Sequence, residues 1–185
     1  MNIEDTTIPG CKVIAGQLHE DPRGWFSTTY EAKVYREKEL PYIWAQDCAS
    51  FNRKTGTLRG LHTQSEDPQG KLVRVLTGAI LDVVVDMRPD STAYKTHIMV
   101  GLLASQGYSL YVPPGCLHGY ITIENNTLVH YKCTTPYKAE CQTGVRWDDP
   151  ALRISWPTKT PILSARDREL PLLDEFLKQM GYDKR

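Results

Sequence analysis

Residues 71–88 read KLVRVLTGAILDVVVDMR, and this stretch decides the fold class. Apolar residues alternate with others over 71–76 and again over 80–88, the two-residue period that sets successive side chains on opposite faces of a strand. Thr77-Gly78-Ala79 between them reads as a tight connection, so the pair is expected to form a β-hairpin. Outward from it, further strand-like runs fall at 97–103, 108–112, 120–123 and 127–134, separated by Gly, Pro, Asn and Ser. Many short strands at short spacing predict a mainly β sandwich or barrel. Helical signal is confined to 31–40 and to 164–180, where Leu170, Leu173 and Leu177 recur at helical spacing; these helices should decorate the β core.

The same period sorts side chains by face. Val129, Tyr131 and Cys133 share one face of their strand and Leu128, His130 and Lys132 the other, and Leu128 leaves open which face looks inward. Lys71 lies beside Val73 and Val75, opposite Leu72, Arg74 and Leu76. One of those faces must bury a cation or line a wet cavity.

The chain has 185 residues, 41% hydrophobic and 24% charged, which suits one globular domain over 1–185 with its core at about 45–157. Basic and acidic residues balance at 22 each, so no global field recommends a nucleic-acid partner. The N-terminal stretch MNIEDTTIPG lacks the basic start and apolar run of a secretion signal, and Asp82 and Asp86 interrupt the most apolar segment, far short of a membrane span. The five cysteines are odd in number and show no CxxC spacing, which points to reduced thiols and a cytoplasmic protein.

Two spacings carry chemistry. Gly56 is followed after five residues by His62, and Lys71 precedes Gly78 by a run of six. Gly107 is followed after five residues by Pro113, then Pro114-Gly115, and after two more by His118. Together these resemble the two segments of the cupin family, which implies a jelly-roll barrel. The mismatch is informative: Gln64 stands where a metal-binding cupin has its second histidine, and Lys71 stands where it has glutamate. A protonated lysine has no lone pair to offer a cation, so no catalytic metal is expected.

The segments DPRGWF (21–26), TLRGLHTQ (57–64), QGKLVRVLTG (69–78), DVVVDMR (82–88), VPPGCLHGY (112–120), YKCTTPY (131–137), WDDPALRISWP (147–157) and ILSARD (162–167) narrow the likeness. In this order, and over nearly the whole chain, they resemble the dTDP-4-dehydrorhamnose 3,5-epimerase family. The resemblance implies a cofactor-free homodimer that inverts C3, C5 or both in a nucleotide-linked 4-keto-6-deoxyhexose. By the same resemblance His62 is the base, Asp167 the carboxylate that orients it, Tyr131 the acid on the opposite face and Lys71 the group facing the C4 oxygen, aided by Arg59. Arg23, Arg59 and Arg166 are the candidates for the diphosphate, and Phe26, Gln46, His118 and Tyr137 complete the expected substrate-binding set.

The chemistry calls for such a set. Removing a proton α to a ketone leaves an enolate, which needs a base of near-neutral pKa, a cation at the oxygen and an acid across the ring. A lysine charge about 4 Å from that oxygen, at an effective dielectric of about 20, is worth about 4 kcal/mol, or roughly a thousandfold in rate. Each residue also has a plainer reading: Tyr131 as core filler, Lys71 as a strand-edge lysine, and Asp167 as a helix cap in Ser164-x-x-Asp167.

Two positions depart from the family: Thr28 replaces its usual glutamate, and Cys48 stands within Gln46-Asp47-Cys48-Ala49-Ser50 where it has asparagine, with one extra residue before Gly56. These positions contact the nucleotide in the family, partly across the dimer, so the expected substrate is the dTDP-linked 4-keto-6-deoxyglucose or a variant of it with a different base (CDP, UDP or GDP) or a different sugar. The rival readings are a 3,4-ketoisomerase, which would not need Tyr131, and a silent sugar-binding cupin.

Overall fold

The structure is a computed structural model and describes residues 1–182. Its strands are β1 (Asn2–Asp5), β2 (Lys12–Ala15), β3 (His19–Asp21), β4 (Gly24–Phe26), β5 (Gln46–Asn52), β6 (Leu58–Gln64), β7 (Lys71–Thr77), β8 (Ala79–Asp86), β9 (His97–Leu103), β10 (Tyr108–Val112), β11 (Cys116–Thr122), β12 (Thr127–Cys133) and β13 (Gln142–Gly144). Helices α1 (Ala32–Glu37), α2 (Ala165–Arg168) and α3 (Leu173–Gln179) are short and peripheral. The strands form a six-stranded sheet in the order β1-β2-β10-β7-β12-β5, a five-stranded sheet in the order β13-β6-β11-β8-β9, and a separate β3-β4 hairpin. This interleaving of distant strands is a cupin-type jelly roll.

Period-two alternation builds the interior from both sheets. Val73, Val75, Leu110, Val112 and Val129 of the first meet Ile80, Val84, Leu102 and Tyr120 of the second. The outward faces are covered as well, which is why β8 reads as an almost unbroken apolar run. Val83 and Val85 pack under Leu173, Phe176 and Leu177 of the C-terminal tail, while Leu72 and Tyr111 pack under Tyr35 and Leu40. The choice left open for 127–134 falls to Val129, Tyr131 and Cys133 as the inward face. Both faces of β7 enclose a cation: Lys71 looks inward with Val73, and Arg74 is buried on the outer side.

The expected hairpin over 71–88 does not form. β7 pairs with β10 and β12, whereas β8 pairs with β11 and β9, so the two consecutive strands lie in opposite sheets. Gly78 alone joins them, at φ +79°, and a Cβ there would lie 2.4 Å from Thr127 Oγ1. One residue cannot make the two-residue loop of a hairpin; it turns a corner of the barrel instead. The helical tail is also interrupted. Pro171 lacks an N–H and pushes Leu170 out of helical geometry, which splits 164–180 into α2 and α3. Among the described residues no helix is long and apolar enough to cross a membrane.

Candidate active site

A cavity of about 390 Å³ opens between the two sheets. Lys71 from β7 and Tyr131 from β12 reach it from the six-stranded sheet, and His62 from β6 and His118 from β11 reach it from the five-stranded sheet. His62 and His118 are direct register partners across β6 and β11. Glycine permits that approach: a Cβ on Gly60, whose φ is +124°, would stand 2.6 Å from the Gly119 Cα. The register shift between His118 and Tyr120 falls at the same place.

Asp167 comes from the far end of the chain. Ser164 caps α2, its Oγ accepting the Asp167 N–H at 3.0 Å. The cap thus turns the Asp167 side chain inward, where Oδ1 lies 2.6 Å from His62 Nε2. The carboxylate is 4% exposed. Burial pushes its pKa up, but the hydrogen bond and charge of His62, with bonds from Ser164 and the Gly60 N–H, outweigh burial and hold it below the usual carboxylate range. An ionised carboxylate only accepts, so Nε2 of His62 donates in this bond and Nδ1 is the ring nitrogen that Asp167 does not engage. The cap of α2 is the Ser164 hydroxyl, and the Asp167 carboxylate is directed to His62 and does not cap the helix itself.

Lys71 is pulled toward its neutral form by burial, against the opposing influence of Cys133, Asp82 and Cys48. Burial also raises the Tyr131 phenol well above its ordinary value, so it stays protonated. Arg59 is held by its Nε bond to Asn52 Oδ1 at 2.9 Å, and Arg166 by bonds to Tyr137 Oη and the Gln142 carbonyl at 3.1 and 3.2 Å. Gln46 Oε1 accepts the Tyr137 N–H at 2.8 Å. Gln46, Arg59, Tyr137 and Arg166 all line the cavity, giving it a polar rim.

Two residues expected at the site are not brought to it within this chain. Arg23 and Phe26 sit on the β3-β4 hairpin, whose strands are three residues each and fully exposed. Arg23 folds back on Asp21 at 2.6 Å and Phe26 is 69% exposed. A hairpin this short has no buried face of its own to anchor it on the barrel.

Other contributors went unread. Tyr120 bonds Ser50 at 2.6 Å at the cavity wall, and Asp82 accepts from His118 Nε2 at 2.6 Å. Asp82 had a signal: a carboxylate inside an apolar strand is costly unless paired. Gln64, at the former metal-ligand position, donates instead to the Asp67 and Pro136 carbonyls. Among the described residues no group of three or more His, Cys, Asp or Glu side chains is placed to hold a metal ion.

A jelly-roll barrel with an imidazole–carboxylate pair, a lysine and a phenol round one cavity defines the class: an isomerase of the cupin type that epimerises a sugar nucleotide. The family model described as dTDP-4-dehydrorhamnose 3,5-epimerase matches residues 5–175. A Sinorhizobium fredii dTDP-4-dehydrorhamnose 3,5-epimerase is 39% identical over 186 residues, covering 100% of this chain and 95% of that protein. The chain is similar to a Streptomyces niveus dTDP-4-dehydrorhamnose 3-epimerase, at 33% identity over 95% of this chain and 85% of that protein. The crystal structure of the Legionella pneumophila dTDP-6-deoxy-D-glucose-3,5-epimerase in complex with dTDP-4-keto-L-rhamnose superposes with a TM-score of 0.91 at 35% identity, covering 97% of this chain and 96% of that one. The chain belongs to the dTDP-4-dehydrorhamnose 3,5-epimerase family.

Proposed function

We propose that His62 removes the proton α to the C4 ketone of a nucleotide-diphosphate 4-keto-6-deoxyhexose, with Asp167 holding its tautomer and the charge it acquires. Lys71, with Arg59, faces the C4 oxygen and stabilises the enolate; Tyr131 returns a proton from the opposite side. Arg59 and Arg166 take the diphosphate, and Gln46, His118 and Tyr137 complete the walls. The observation that carries this reading is the 2.6 Å His62–Asp167 bond in a cavity that Lys71 and Tyr131 share. No cofactor enters the steps, since proton removal and return involve no net redox change.

The relatives' names support a thymidine nucleotide, whereas Cys48 at the cavity wall motivates another base. Turnover compared across dTDP-, CDP-, UDP- and GDP-sugars decides, and a clear dTDP preference ends the second idea. Double and single epimerases both occur among the relatives. We further infer a cytoplasmic homodimer. The cytoplasm is supported by five free cysteines. The dimer is supported by Trp25 and Phe26 on the free-standing hairpin and by Phe51 on edge strand β5, 49%, 69% and 54% exposed. In such a dimer Arg23 and Phe26 reach the partner's cavity.

Incubation with a 4-keto-6-deoxy sugar nucleotide in deuterated water tests the reaction. Deuterium at C3, C5 or both, with inversion, is expected and names the centres. Ketone migration to C3 without inversion would overturn the reading in favour of a ketoisomerase, and no exchange at all would leave a sugar-binding cupin.

A further inference from the structure

Asn52 ends β5 on the face that carries Gln46, Cys48 and Ser50 to the cavity, and is 2% exposed. From behind the wall it meets two lining residues of the other sheet, Arg59 of β6 and Tyr120 of β11. A buried amide has to satisfy both of its ends. Nδ2 donates to the carbonyls of Ser50 and Thr127, each at 3.2 Å, and reaches Tyr120 Oη at 3.4 Å. Carbonyls only accept, so the amide cannot be turned round and Oδ1 is the end left for the facing sheet. There it accepts from Arg59 Nε at 2.9 Å.

Arg59 is the side chain this affects. It is an exposed arginine on the cavity rim, and the bond to Asn52 is the only one its guanidinium makes among the described residues. Nor does it form an ion pair within 4.0 Å among them. Because Nε is the nitrogen taken, both Nη groups stay free, and they form the fork that pairs with phosphate oxygens. A long exposed side chain gives up rotamer freedom when it binds an anion, and one held beforehand gives up less. An amide suits the task, since a carboxylate in its place would set a negative charge against the diphosphate.

We propose that Asn52 is a positioning residue: anchored on Ser50 and Thr127 of the six-stranded sheet, it grips Arg59 of the five-stranded sheet by Nε and holds the two Nη groups ready for the substrate's diphosphate. This rests on the reading of Arg59 given above and adds the device that orients it.

The test measures, by calorimetry, affinity for whichever of dTDP, CDP, UDP and GDP the wild type binds most tightly. Asn52→Leu should weaken it about tenfold, the loss that goes with a hydrogen bond to a charged group. In an Arg59→Met background the same substitution should change little, because the group it acts through is gone. Equal losses in the two backgrounds would mean that Asn52 only supports the wall, and overturn the proposal. The second readout needs no Asn52 variant. With ¹⁵N-labelled arginine, the Nε–H resonance absent from Arg59→Met protein should exchange with water several times more slowly, in the free wild-type enzyme, than that of the exposed Arg53. Exchange as fast as at Arg53 overturns the proposal alone. A protected Nε–H in wild type, with Arg59→Met protein binding nucleotide as tightly as wild type, would instead sink the reading of Arg59 as a diphosphate ligand and this proposal with it.

Discussion

Tyr131 and His62 face one cavity from opposing sheets, the tyrosine on β12 of the six-stranded sheet and the histidine on β6 of the five-stranded one. In the proposed reaction the carbon α to the ketone loses its proton toward one wall, leaving a planar enolate that takes a proton from the other, which is what inversion requires. Tyr131→Phe removes the proton source and leaves the base. Exchange of the α hydrogen with deuterated water should persist while inversion falls about 10²- to 10⁴-fold. Equal loss of both would show that the phenol serves the first proton transfer.

Lys71→Met keeps most of the stem and removes the charge. Loss of about 4 kcal/mol at the enolate oxygen corresponds to a fall in kcat of roughly a thousandfold, with nucleotide affinity by calorimetry little changed. Wild-type rate should also survive prolonged dialysis against a chelator, because Gln64 is occupied with the Asp67 and Pro136 carbonyls and Lys71 offers no lone pair. Reactivation by a divalent ion would contradict both statements.

Asp167→Asn can present an N–H to Nε2 and so select the wrong tautomer of His62; kcat should fall about 10⁴-fold, as it does when a histidine-orienting carboxylate is amidated elsewhere. The pKa of Asp167 is depressed in the folded protein. Its contribution to stability is therefore complete above the unfolded value of about 3.9 and is lost as pH falls through the folded value. Acid unfolding followed by circular dichroism should lose that component in the variant.

The parts of the barrel that pack on hydrocarbon could be read as strands directly: β7, β9, β10 and β12 fall within a residue of the alternating runs. β5 (QDCASFN) and β6 (LRGLHTQ) could not, because their inward positions carry the polar side chains of the cavity and break the alternation. The sheet assignment of 71–88 was misread for a different reason. Alternation reports which face a residue takes, not which strand lies beside it, and β7 and β8 turn out to be sequential but unpaired. His62, Lys71, His118 and Tyr131 stood out by motif spacing or family likeness. Asp82 was visible only as an interruption of an apolar run, since its partner His118 lies 36 residues away.

Gly60→Ala forces a methyl group to within 2.6 Å of the Gly119 Cα at a backbone angle that side chains rarely adopt. Destabilisation of about 1–3 kcal/mol, typical of overpacking, is expected in urea unfolding. Activity should fall further than stability explains, because β6 and β11 carry both histidines. A variant of normal stability and rate would show that the strands can separate freely.

If Arg23 serves the partner's cavity, Arg23→Ala and His62→Asn subunits should each be poor alone and recover activity when mixed, since a hybrid dimer contains one site with both residues intact. Light scattering on the same mixtures checks that the mass of the dimer is kept. No recovery on mixing would assign Arg23 to its own subunit or to none.

His62 and Asp167 are 105 residues apart in the chain, so the two halves of this hydrogen-bonded pair are made at different times during synthesis. A ribosome releases the histidine well before it has built the segment that holds the carboxylate. On the proposed reading, proton transfer waits for the α2 turn to dock, so turnover itself reports that the last part of the chain has found its seat.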